Sequence, residues 1–163
     1  MAAALLARRA AEDGASVEVR TAGTHARQGI PASTHALTVM TARGLDIADH
    51  RSARLDADML AWATDVWVMS DRHRTTIARR WPGAFDAEVR LLSEAAGSRG
   101  DVADPLGGGL SDYRRTADEL AALVDAAWRR RPQPACAEAT LRSDASPRPR
   151  AAEAATDHAA QRP

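Results

Sequence analysis

The only cysteine of the chain, Cys136, is followed six positions later by Arg142 and then by Ser143 in the stretch CAEATLRS. A thiolate at that spacing from an arginine can attack a phosphoryl group while the guanidinium and loop N–H groups hold the phosphate oxygens. Spacing alone does not supply this chemistry. A strand must deliver the cysteine, and a helix must start directly after the loop, so that backbone N–H groups bind the anion and depress the thiol pKa. Before Cys136 stands RRRPQPA, whose prolines exclude a central strand, and after Ser143 stands DASPRPR, which starts no helix. No glycine relieves the loop, and Glu138 would place a negative charge beside a dianion. Cys136 therefore reads as an exposed thiol in a tail.

The other groups with chemical potential are carboxylates, histidines and arginines. Asp104 precedes Pro105 and the run GGG, and on residues alone an Asp-Pro pair opens a turn. Asp101 lies near Arg99, which predicts a solvated surface pair. The 5 histidines form no recognised ligand spacing, so no metal and no cofactor are expected. The run WRRRPQP could touch an acidic partner or RNA, yet arginines at a helix C-terminus are also what the helix dipole favours. With 22 basic and 22 acidic residues the formal charge is zero, so no global field recruits nucleic acid, and no nucleic-acid partner is expected.

A chain of 163 residues has room for one domain and a tail. One cysteine forms no intramolecular disulfide, and no charged segment leads into an apolar run with a small-residue cleavage site. The longest apolar windows, such as MLAWATDVWVM, fall well short of the roughly 20 residues that cross a bilayer. A cytoplasmic, reduced setting with no membrane partner is expected.

The elements alternate. MAAALLARRAAEDGAS reads as a helix entered midway and stopped at Gly14. SVEVRTAG alternates Val17 and Val19 with polar residues and predicts a short strand ending at Gly23. PASTHALTVMTARGL predicts a second helix with Pro31 in its first turn and Gly44 at its end. DADMLAWATD gives a third short helix leading into VWVM, a strand buried on both faces. DRHRTTIARRWPG reads as a helix ended by Pro82 and Gly83, and AEVRLLSE as another strand. A glycine-rich loop then leads to a final amphipathic helix whose Leu120, Leu123, Val124 and Trp128 share one stripe. Alternating strands and helices imply an α/β domain with a parallel sheet. From residue 132 onward the composition turns to Pro, Ala, Arg and Ser, which predicts one domain over 1–131 and a disordered tail over 132–163.

Six segments in order resemble the low-molecular-weight protein tyrosine phosphatases. They are MAAALLARRAAEDG, VRTAGTHARQGIPAS, RGLDIADHRSARLD, TDVWVMSDRHRTTI, VRLLSE and DVADPLGGGLSDYRRTADEL, together spanning about Met1 to Arg130. The resemblance implies a three-layer α/β fold with a four-stranded parallel sheet flanked by helices. It also implies hydrolysis of phosphotyrosine or, as in some bacterial members, phosphoarginine on a phosphorylated protein substrate, through a phosphocysteine. In the family the Asp-Pro aspartate protonates the leaving atom and then activates water, and Asp104 holds that position. His50 and His73 become scaffold positions held by local hydrogen bonds. Leu106 stands where the family often carries an aromatic.

The family's nucleophilic cysteine and phosphate-binding arginine lie on a loop directly before the segment that Met1 opens. The expectation is therefore a domain that lacks an interior first strand and the nucleophile loop, inactive as written and poorly stable alone. The alternative is a non-catalytic remnant that binds a partner. Arsenate reduction, also known in the family, needs further cysteines to relay a disulfide.

Overall fold

The computed structural model describes residues 1–131. The tail expected over 132–163, Cys136 included, lies outside the described residues. The chain runs α1 (Ala2–Glu12), α2 (Thr34–Thr41), α3 (Ala57–Trp62), β1 (Asp65–Val68), α4 (Asp71–Arg80), β2 (Glu88–Leu91), α5 (Leu92–Ala95) and α6 (Leu110–Arg130).

Local chemistry sets most boundaries. Ser33, Asp56 and Ser70 stand at the N-caps of α2, α3 and α4, each accepting a bond from a backbone N–H three residues on. Helix α1 ends at Asp13 and Gly14, and Gly14 adopts φ +65, which a glycine takes without strain. Pro31 does not enter α2 as the sequence predicts. It forms an isolated antiparallel bridge with Arg51, and Ser33 caps the helix two residues later.

β1 and β2 are parallel and in register, Asp65 opposite Glu88 through Val68 opposite Leu91. Alternation along these strands separates two cores. Val66, Val68, Val89 and Leu91 face Leu60 of α3 and Ile77 of α4. Trp67 and Met69 face the opposite way, onto Leu5, Met40, Leu92, Leu120 and Val124 from α1, α2, α5 and α6. The result is the three-layer α/β arrangement implied by the sequence. Within α6, Leu120, Val124 and Trp128 are buried and Leu123 is half-buried, as the stripe predicts.

Two strand expectations need correction. Val17 to Ala22 forms no strand, because a strand exists only by pairing and this segment makes no ladder; its only tie of that kind is the isolated parallel bridge from Gly23 to Arg54. The last strand stops at Leu91, where the Glu94 carboxylate accepts the Leu91 N–H at 3.2 Å and turns the chain into α5. Among the described residues the sheet is two-stranded, and the indole N–H of Trp67 is buried without an acceptor.

The helix-end arginines each have a partner on the fold. Arg129 pairs with Asp125 at 2.9 Å, and Arg131 lies 3.3 Å over the Trp128 ring. Arg130 packs against Gly97, where φ is +80 and a Cβ would come within 2.4 Å of the guanidinium carbon. Asp13 knits the two longest helices together: it accepts from Arg9 at 2.6 Å and from the Trp128 indole at 2.7 Å.

Candidate active site

Asp104 sits on an exposed loop between β2–α5 and α6. Its approach is fastened by Val102, a buried residue whose N–H donates to the Met69 carbonyl at 2.8 Å, one residue beyond the end of β1. A second tie joins the same strand end: the Asp101 carboxylate accepts the N–H of Asp71 at 2.9 Å. That bond replaces the Arg99 pair expected from sequence proximity. It satisfies a free donor in the first turn of α4, where a negative charge is favoured.

Beyond Val102 the loop turns on its own side chain. The Asp104 Oδ1 accepts the N–H of Leu106 at 3.0 Å, the local aspartate turn that an Asp-Pro pair forms readily. Gly107 follows at φ +86, and Gly108 donates back to the Pro105 carbonyl at 2.9 Å. At Gly108 a Cβ would meet the Asp112 carboxylate at 2.7 Å, so a side chain there would have to displace that carboxylate. Asp112 closes the loop by accepting the Gly109 N–H at 2.9 Å at the start of α6. That backbone bond, then the Arg115 guanidinium, holds the Asp112 carboxyl below the usual carboxylate range. Asp112 was not singled out by sequence reading, although an aspartate three residues after a glycine at a helix start is a capping signal. Leu106 is 76% exposed, the most exposed large apolar side chain described.

Of the two histidines expected at scaffold positions held by local hydrogen bonds, His73 meets the expectation. The His73 Nδ1 lies 3.0 Å from Ser70 Oγ, within the α4 cap. His50 is exposed and lines, with Asp46, Asp49, Val19, Thr21 and Met1, a cavity of about 440 Å³ beside α1. Asp104 does not line that cavity.

These features define an α/β domain whose carboxylate loop is fastened at the carboxyl end of a parallel strand, where open α/β sheets place their ligands. A sequence model described as low molecular weight phosphotyrosine protein phosphatase matches residues 1–130, and the chain belongs to that family. It is 41% identical over 125 residues to a protein-arginine-phosphatase of Geobacillus stearothermophilus, covering 77% of this chain and 82% of that protein. A protein-arginine-phosphatase of Bacillus subtilis (strain 168) is 33% identical over 124 residues, covering 76% and 82%. Among solved structures, the YwlE arginine phosphatase from Geobacillus stearothermophilus superposes with a TM-score of 0.70 at 39% identity, covering 78% of this chain and 81% of that one. A low molecular weight protein tyrosine phosphatase from T. tengcongensis gives 0.74 at 32% identity, covering 78% and 87%.

Proposed function

We propose that this domain serves the hydrolysis of phosphorylated protein side chains, phosphotyrosine or phosphoarginine, with Asp104 as proton donor to the leaving atom. One observation carries the reading: the Asp104 carboxylate is poised on a glycine-rich loop fastened to the carboxyl end of β1. Family membership supports the reaction type, and the two relatives named protein-arginine-phosphatases favour phosphoarginine. The phosphatase-like domain is taken as 1–131, followed by a tail over 132–163, in a cytoplasmic setting. Among the described residues, no helix is long and apolar enough to cross a membrane.

The chemistry balances in two steps. A thiolate attacks phosphorus, forming an S–P bond as the P–O bond of phosphotyrosine or the P–N bond of phosphoarginine breaks, and Asp104 gives its proton to the departing atom. The carboxylate then takes a proton from water, whose oxygen displaces sulfur and releases inorganic phosphate. The one cysteine of the sequence, Cys136, lies outside the described residues in a context unsuited to a phosphate loop. Residues 1–163 alone are therefore taken as inactive. That single cysteine is also what favours the second reading, a non-catalytic module that binds a partner.

The test compares residues 1–163 with the product of the native gene and its own upstream region, identified by intact mass and N-terminal peptide. Phosphate release is measured from phosphoarginine and phosphotyrosine peptides. The expected result is no release from 1–163, and release from a product heavier than 17.4 kDa that falls about 10²- to 10⁴-fold in Asp104→Asn. A native product of 17.4 kDa without activity would withdraw the enzyme reading, and its recovery in a stable complex would support the partner-binding one. Release by 1–163 that vanishes in Cys136→Ser would overturn both.

A further inference from the structure

We propose that the paired loops 23–31 and 51–54 form a docking face for an acidic polypeptide segment. The two loops are tied into one surface. Gly23 N–H donates to Ala53 at 2.9 Å, Gly29 N–H to Ser52 at 2.7 Å, and Ser52 N–H to Ile30 at 2.8 Å. The Gln28 side chain accepts the Arg54 N–H at 3.0 Å. Arg80, at the end of α4, joins them by donating to the Thr24 carbonyl at 3.3 Å.

The charge on this surface is one-sided. The chain as a whole is neutral, yet loops 23–31 and 51–54 hold Arg27, Arg51 and Arg54 with no aspartate or glutamate. Among the described residues, no carboxylate pairs with these three or with Arg80; the ion pairs form elsewhere. The nearest carboxylates along the chain are Asp49 and Asp56, and Asp56 is committed to capping α3. Unpaired like charges gathered on loops already stiffened by backbone bonds steer an oppositely charged partner and lose little entropy when it arrives.

An apolar anchor sits within the same surface. Ile30 is 51% exposed beside Pro31, between the bonds that lace the two loops. A large side chain left in water on a rigid basic loop suits a peptide that offers carboxylates around one apolar residue. Nucleic acid is disfavoured because the only ring on these loops, His25, is tied to Thr24 Oγ1 at 3.1 Å, which leaves no stacking platform for bases.

The experiment titrates a labelled Glu/Asp-rich peptide carrying one leucine into residues 1–163 and follows fluorescence anisotropy. Binding is expected to weaken about tenfold or more between about 0.01 M and about 0.15 M salt. It should weaken at least as much in Arg27→Glu/Arg54→Glu with an unchanged circular dichroism spectrum, and severalfold in Ile30→Ser with the salt dependence retained. If the double reversal disturbs folding, Arg27→Ala and Arg54→Ala are each expected to give a partial loss. Hydrogen exchange should slow on peptide addition at 23–31 and 51–54. Absence of binding at low salt, equal binding by the reversed variant, protection confined to other segments, or tighter binding of a single-stranded RNA at the same salt would each overturn the proposal.

Discussion

The Asp104 carboxylate has one described donor, the Leu106 N–H, and that bond survives replacement by asparagine, whose amide oxygen accepts equally well. Asp104→Asn is thus expected to leave the melting temperature unchanged while removing the transferable proton, a separation read by pairing a thermal melt with phosphate release. Two other aspartates carry the acid response of the fold. Arg9 and then the Trp128 indole hold the Asp13 carboxyl below its ordinary range, and the Gly109 N–H and then Arg115 do so for Asp112. A depressed folded-state pKa adds stability that is present above the unfolded value near about 3.9 and is lost as pH falls through the folded value. Urea midpoints should therefore drop below about pH 4, and Asp13→Asn and Asp112→Asn should lower the pH 7 midpoint and flatten that decline. At this scale the sequence was legible where chemistry is local: the scaffold role expected of His73 is met by its contact with Ser70 inside the α4 cap. The partner of Asp101 was not legible, because Asp71 lies 30 positions away and only the fold brings its N–H near.

At the scale of elements, caps and tight glycines hold the helices that bracket the sheet. Ser70→Ala removes the acceptor at the start of α4 and is expected to cost about 1 kcal/mol in chemical denaturation. Gly97→Ala forces a Cβ into a left-handed residue and against Arg130, so a loss of about 1 kcal/mol or more is expected. The helices were readable because their periodicity and caps lie within one segment. Strands were readable only where they found a neighbour. Val66 to Val68 announced itself by composition and pairs with β2, whereas Val17 to Ala22 shows alternation but makes no ladder. Alternation states a preference for pairing and is silent about whether a partner is there.

For the molecule as a whole, helix packing dominates and the sheet is slight. A two-stranded sheet with an unsatisfied buried indole N–H at Trp67 predicts low cooperativity. Residues 1–163 should melt broadly, below about 45 °C, with backbone amides of β1 and β2 exchanging faster than those of α6; a sharp transition well above that temperature would contradict this. The fastening of Val102 to the end of β1 also sets a radius. Two residues of chain extend at most about 7 Å, so the Asp104 backbone is confined to a small sphere around Val102 however freely its glycines swing. As the acid proposed above, Asp104 works on a short leash. Any group it protonates must come to the rim of β1, which turns the position of one backbone hydrogen bond into a limit on how a substrate can lie.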